Sequence, residues 1–240
     1  KPLAATSAEA ADIVAAFDAA GIVGGVGHIE RYNPALQQAR ARLEAGELGD
    51  VFQVGTRRVG PFPARIADVG VVKDLGTHDI DLTAWVTQQQ YASVAAQTAH
   101  RSGRPHEDLV AITGLLSGGT VTNHLVNWLS PMKERLTVIT GEKGAFVADT
   151  LSADLTYYAN GSVPTQWAQV AGFRGVSEGD VVRYSFAKPE PLRTEHEAFR
   201  DAVLGREPTR IVSLAEGART LAVAEAALAA AATGQTQSLR

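Results

Sequence analysis

The sequence predicts an α/β plus α+β fold: the end of a parallel α/β unit, then a large, mostly antiparallel open sheet flanked by helices. Three observations carry this. A capped helix followed by a short apolar run opens the chain, which is one unit of a parallel α/β sheet. From Val51 the apolar pattern changes to that of strands separated by tight-turn residues. Two helices close the chain, the second rich in alanine.

Thr6 and Glu9 form a T-x-x-E capping box, Ile13, Val14 and Phe17 recur at helical spacing, and Gly21 stands where a C′ glycine belongs. The run Ile22-Val23-Gly24-Gly25-Val26-Gly27 reads as a buried strand. Asn33 suits an N-cap and Pro34 the first helical position. Leu36, Ala39 and Leu43 share one face of that helix, which Gly46 ends. A first strand is predicted over Val51 to Val59, broken by Gly60-Pro61-Phe62-Pro63. Asp74 to Asp81 leads into an apolar helix through Trp85 and Val86. Further strands are predicted at Tyr91–Thr98, Leu109–Leu116, Thr120–Leu129, Leu136–Thr140, Ala145–Asp149, Leu155–Tyr158 and Val181–Phe186. Turn residues such as Ser117-Gly118-Gly119 and Asn160-Gly161 separate several of them. Helices are predicted from Glu195 to Leu204, and from Ser213, which forms a second capping box with Glu216, to Gly234.

A net charge of −4, from 22 basic and 26 acidic residues, argues against a nucleic-acid binder that relies on a basic face. The absence of cysteine excludes disulfides, thiolate nucleophiles and cysteine-ligated metal. No apolar run is long enough to span a bilayer and no signal peptide is visible, so a cytoplasmic protein without a membrane partner is expected. The chain opens Lys1-Pro2-Leu3 with no initiator Met, as though cut from something longer.

Asp74-x-x-x-His78 is the sharpest chemical cluster. On a helix, i, i+4 spacing puts both residues on one face, where a carboxylate can orient an imidazole as a general base. The same spacing also suits an N-cap aspartate and a satisfied helix histidine, and spacing alone leaves both open. Asp79 and Asp81 follow, but positions 78, 79 and 81 spread around a helix and cannot face one ion, so no metal is expected. The segment from His28 through Glu30, Arg31 and Asn33 leaves the end of the apolar run, where α/β sheets place ligands. It can reach a cofactor or a sugar, or form a plain loop with Glu30 and Arg31 paired on the surface. Arg57 and Arg58 point to opposite faces of their strand, so at most one enters a given site. No G-x-G-x-x-G occurs.

Together these segments resemble the Gfo/Idh/MocA family of sugar and cyclitol oxidoreductases. Lys1-Pro2-Leu3 is similar to the end of that family's Glu-Lys-Pro motif, and Asp74-Leu75-Gly76-Thr77-His78-Asp79-Ile80-Asp81 to its D-x-G-x-H-x-x-D segment. Gly27 to Pro34 is similar to its G-x-x-x-R-[FY]-x-P segment, and Gly205-Arg206-Glu207-Pro208 with Glu216-Gly217-Ala218 to its closing pattern. Gly27–Pro34, Arg58-Val59-Gly60-Pro61 and Val72-Lys73-Asp74 further resemble the subgroup that oxidises the 3-hydroxyl of UDP-N-acetylglucosamine.

The resemblance implies residues 1–27 as the remnant of a Rossmann domain and residues 28–240 as a dihydrodipicolinate-reductase-like substrate and oligomerisation domain. It implies hydride transfer between a sugar or nucleotide-sugar hydroxyl and NAD or NADP. Lys1, Asp74 and His78 are the implied catalytic group, with either Lys1 or His78 as the base. Lys1, Pro2, His28 and Arg31 are implied at the cofactor, and Glu30, Arg31, Asn33, Arg58, Asp74 and His78 at the substrate. A homodimer or homotetramer through the open sheet is implied, with neither nucleic acid nor membrane as partner. The alternatives are a non-catalytic sugar-binding or dimerisation module, a myo-inositol or other sugar dehydrogenase of the same family, and a metal-dependent isomerase or hydrolase.

Overall fold

Strand alternation and helix capping both survive into three dimensions. A computed structural model of the protein describes residues 1–63, 66, 68–161 and 179–239. Its strands are β1 (Val51–Pro61), β2 (Tyr91–Ala99), β3 (Leu109–Leu116), β4 (Val121–Asn127), β5 (Leu129–Gly141), β6 (Gly144–Asp149), β7 (Asp154–Ala159), β8 (Val181–Arg183) and β9 (Gln237–Ser238). They form one sheet in the order β8-β7-β6-β5-β1-β4-β3-β2-β9. The helices are α1 (Ser7–Ala20), α2 (Pro34–Glu44), α3 (Thr77–Thr87), α4 (Pro191–Val203) and α5 (Leu214–Thr233).

The sheet is antiparallel except at its centre, where β1 and β4 run parallel. The chain leaves β1 through α3 before it enters the β2-β3-β4 meander. A helical crossover is what allows such parallel neighbours. On β4, Thr122, His124 and Val126 turn inward while Val121 and Asn123 stay exposed, the period of two that puts one face on a core. That core lies under the helices in two clusters. One joins α3 and α5 to β2, β3 and β4 through Ile80, Val94, Ile112, Val126 and Ala224. The other joins α2 and α3 to β1, β5 and β6 through Leu36, Leu82, Val54, Ile139 and Phe146.

Local signals place the helix ends. Thr6 and Ser213 each form a complete capping box, with Glu9 and Glu216. Asn33 accepts from the Ala35 N–H, with Pro34 at the first position of α2. Helix α4 starts at Pro191, ahead of the predicted Glu195, because the Glu190 carboxylate accepts from the Leu192 and Arg193 N–H groups. Strand β1 runs on through Gly60 to Pro61 because the register with β5 slips between Val59 and Pro61. This irregularity accommodates proline, which has no N–H to give. Strand β5 begins at Leu129, and the pair Gln237–Ser238 adds an edge strand that no sequence pattern marked.

The expected buried strand at residues 22–27 does not form. Ile22 is 57% and Val23 41% exposed. The segment makes one isolated bridge, Gly25 with Ser213, and the Val26 N–H donates to the Val212 carbonyl at 2.9 Å. A strand is buried only between neighbours, and among the described residues the Val212–Ser213 edge is all that serves it. Helix α5 packs tightly there: a Cβ on Gly217 would lie 2.5 Å from Val26 Cγ2. Gly217→Ala is therefore expected to cost about 1–3 kcal/mol by overpacking, read as a lower urea midpoint. An unchanged midpoint would mean that the segment simply moves aside.

Candidate active site

Three segments far apart in sequence meet at one edge of the helical layer. Ser7 donates its N–H to Glu225 of α5 at 3.0 Å, and Lys73 donates to the Ala5 carbonyl at 2.5 Å. These contacts bring the N-terminal residues across to the turn that precedes α3. Lys1 Nζ then donates to the Asp74 carboxylate at 3.0 Å and also to the Asp74 main-chain carbonyl. Lys1 is exposed as a residue, but its side chain is only 17% exposed, and that of Asp74 12%. Burial lowers the pKa of the Lys1 ammonium from its usual 10.5, although the Asp74 charge and hydrogen bond pull the other way.

Asp74 sits in a π-helical turn, Val72–Gly76, rather than at a helix N-cap. Such turns interrupt the regular α-helical spacing and recur at functional sites. Its carboxylate goes to Lys1, so the expected i, i+4 pairing of Asp74 with His78 is replaced by an ion pair with Lys1. His78, in the first turn of α3, is 7% exposed and its Nδ1 is buried without a partner among the described residues. Burial, then the charges of Lys1 and Arg58, push its pKa well below 6.5. The ring is thus a neutral imidazole at neutral pH. His28 faces it edge to face, with centroids 6.1 Å apart and planes at 85°.

The other residues expected at a ligand have protein partners instead. Arg58 is buried, donating from Nη1 to Glu30 at 2.7 Å and from Nε to Asp79 at 2.9 Å. Arg135 also reaches Glu30, at 3.4 Å. Arg31 grips Asp81 with two bonds of 2.8 and 2.7 Å, and Glu216 with a third of 2.7 Å. Asn33 is spent on capping α2 and on the Thr150 carbonyl. Glu30, Arg31, Asn33 and Arg58 are therefore tied into the protein around the site. The physical reason is burial: a charged group taken out of water must be paired where it lies. Arg57, by contrast, is exposed and pairs with Glu134. Residues 78, 79 and 81 face three different surroundings, so they do not converge on an ion.

The paired carboxylates bracket His78: Asp79 holds α3 to β1, and Asp81 holds it to the short helix Ile29–Tyr32 and to Thr220 of α5. Two further residues escaped sequence reasoning. Arg135 joins the Glu30 cluster from β5. His124 of β4 lies fully buried between Thr56 Oγ1, 2.8 Å from Nδ1, and Tyr91 Oη, 2.7 Å from Nε2. Burial, then the Arg58 charge, hold its pKa down to about 3. Strand alternation was the only sequence signal for His124, and Arg135 lay outside the predicted strand at Leu136–Thr140.

Residues 36–147 match the family model of the GFO/IDH/MocA C-terminal domain. Over those residues the chain resembles a GFO/IDH/MocA C-terminal domain. The chain is 29% identical, over 224 residues, to UDP-N-acetylglucosamine 3-dehydrogenase of Acidithiobacillus ferrooxidans, covering 93% of this chain and 67% of that enzyme. A solved structure of the same enzyme superposes with a TM-score of 0.80 at 25% identity, covering 96% of this chain and 69% of that one. A dehydrogenase from Bordetella pertussis, solved with NADH and UDP-GlcNAcA, shares the fold. That match has a TM-score of 0.76 at 22% identity and covers 100% of this chain and 70% of that one. Among the described residues no helix is long and apolar enough to cross a membrane.

Proposed function

We propose that this chain is the substrate-binding part of an oxidoreductase that moves a hydride between a nucleotide-sugar hydroxyl and NAD or NADP. The observation that carries the reading is the Lys1–Asp74 ion pair at 3.0 Å beside a neutral His78 whose Nδ1 has no partner among the described residues. The likeness to a UDP-N-acetylglucosamine 3-dehydrogenase supports the substrate class. The reading requires a dinucleotide-binding domain, of which residues 1–27 form the end.

His78 accepts the proton of the sugar hydroxyl as the C–H bond is oxidised, the role a neutral imidazole suits. Lys1 donates a hydrogen bond to the same oxygen and stabilises the negative charge that develops on it. Asp74 fixes the Lys1 ammonium through two acceptors. The buried Nδ1 atoms of His28 and His78, orphaned among the described residues, leave polar capacity of the kind a bound ring with polar substituents can use. Lys1, Pro2 and His28 would border the nicotinamide, which supplies the hydride acceptor. The test is nicotinamide reduction by the protein joined to its dinucleotide-binding domain, with UDP-N-acetylglucosamine offered beside free sugars and myo-inositol. Sugar-dependent reduction that survives chelator is expected. Sugar binding without reduction would instead identify a binding module.

The face of the sheet opposite the helices is the proposed contact with a second copy of the chain. Leu115 is 42%, Val121 50% and Tyr158 46% exposed there, and exposed apolar area of this kind marks an interface. Val121→Glu is expected to reduce the mass seen by light scattering to that of one chain. A wild-type chain already monomeric at assay concentration would overturn the assignment.

A further inference from the structure

We propose that His28 is a positioning residue for His78, the perpendicular contact of the two rings fixing the plane in which the His78 imidazole meets a substrate hydroxyl. The proposal rests on the reading of His78 as the proton acceptor. It begins from a feature the ion pairs leave unexplained. The charged neighbours of these two rings are locked to one another: Lys1 to Asp74, Arg58 to Glu30 and Asp79, and Arg31 to Asp81 and Glu216. Among the described residues, the imidazoles of His28 and His78 alone in this group make no hydrogen bond, and each has a buried, unpartnered Nδ1.

A metal-bound or catalytic histidine is ordinarily oriented by a hydrogen bond from its second nitrogen. His78 has none, and the carboxylate that the sequence offered for the purpose, Asp74, is given to Lys1. The ring contact that His78 does make is with the His28 imidazole, 6.1 Å away and at 85° to it. Edge-to-face ring contacts of this geometry favour one orientation over others. His28 is itself rigidly set: it is 1% exposed, its N–H donates to the Val26 carbonyl at 2.8 Å, and its own carbonyl accepts from Arg31 at 3.2 Å. The orientation of His78 is thereby tied to the segment that ends at Gly27.

Electrostatics act in the same sense. His78 is faced by Lys1 from the N-terminus, Arg58 from β1, Arg135 from β5 and His28, all of which disfavour a proton on it. His28 is faced by Arg31 and Lys1, which disfavour its protonation, and by Asp81 of α3, which favours it. Burial is the largest influence on both rings and keeps both neutral. Truncating His28 would admit water beside His78 and remove one neighbour that disfavours its charge. Both changes raise the His78 pKa towards 6.5.

The experiment is nitrogen-detected NMR of the imidazoles in the 240-residue chain, which has six histidines to assign. In the wild type, His78 should show one fixed tautomer and no titration down to pH values below 6.5. In His28→Ala, with the backbone spectrum otherwise preserved, His78 should average between tautomers and titrate at higher pH. His28→Phe keeps an aromatic edge and should restore the fixed ring, and it serves as the folded control if the alanine variant does not fold. An unchanged His78 spectrum in His28→Ala, or averaging in His28→Phe as large as in His28→Ala, would overturn the proposal. With the dinucleotide-binding domain present, His28→Ala should lower kcat about tenfold, in line with misplacement of a reacting group, with the KM for the sugar unchanged. The acid limb of the rate profile should move to higher pH. Full turnover in His78→Ala would sink the acceptor reading, while the NMR result would still decide whether His28 orients the ring.

Discussion

His78→Ala, in the protein joined to its dinucleotide-binding domain, is expected to lower kcat by about 10²- to 10⁴-fold, the usual contribution of a positioned acid–base group. KM should change little, because His78 is buried among protein groups and its loss removes chemistry more than contact area. Undiminished turnover would remove it from the mechanism. The pH profile gives a second reading. A general base works in its unprotonated form, and the pKa of His78 is pushed well below 6.5 by burial and by the Lys1 and Arg58 charges. Its proton-accepting form therefore persists as pH falls below 6.5, and the acid limb of kcat/KM should lie under that value. Lys1→Met should show a different pattern. It loses the hydrogen bond to the developing alkoxide and leaves Asp74 without its counter-ion, so both kcat and the stability of the π-helical turn should fall.

Arg58→Met is expected to produce the largest loss of stability, about 3–5 kcal/mol, because it leaves Glu30 and Asp79 buried without their shared cation. Arg58 is 3%, Glu30 6% and Asp79 1% exposed, so water cannot replace it cheaply. The measurement is urea unfolding at neutral pH. Converting Glu30 and Asp79 to amides in the same chain should recover much of the loss, since no orphan charge then remains. A loss below about 1 kcal/mol would mean that the cluster behaves like a surface pair.

The pH dependence of stability follows from the same cluster. Burial alone would raise the Glu30 pKa, but the charges and hydrogen bonds of Arg58 and the charge of Arg135 bring it below its usual 4.5. A depressed carboxylate contributes stability that is fully present above 4.5 and is lost as pH falls through the folded value. Asp79 runs the other way. Burial outweighs Arg58, raises its pKa, and leaves one carboxylate oxygen unpartnered. Glu30→Gln should therefore flatten the acid loss of stability below 4.5. A loss as steep as in the wild type would place its origin elsewhere, with Glu216, also depressed by its Arg31 partner, as the next residue to test.

Both capping boxes, the Asn33-Pro34 helix start and the opposed directions of Arg57 and Arg58 were legible in the sequence, though not which of the two arginines turns inward. Each is set by neighbours within a few residues, so local sequence carries enough information to specify it. The meeting of Lys1, Asp74 and His78 was reached through ordered motifs, not through spacing, and its internal wiring differed from the one expected. Asp74 serves Lys1, because a π turn stands where an uninterrupted α-helix was assumed.

The sequence by itself determined where most helices begin, which strand residues face inward, and the order of the segments that meet at the site. Only the tertiary structure decided which partners the buried charges take. Glu30 was as able to pair with Arg31 on a surface as with Arg58 in the core, and His28 showed no sign of facing His78. Pairings of this kind join residues tens of positions apart, and they are selected by the cost of leaving a charge or a polar atom alone in a dry interior. That cost is set by the packing of α3 between the short helix Ile29–Tyr32, β1 and α5, which no run of neighbouring residues encodes.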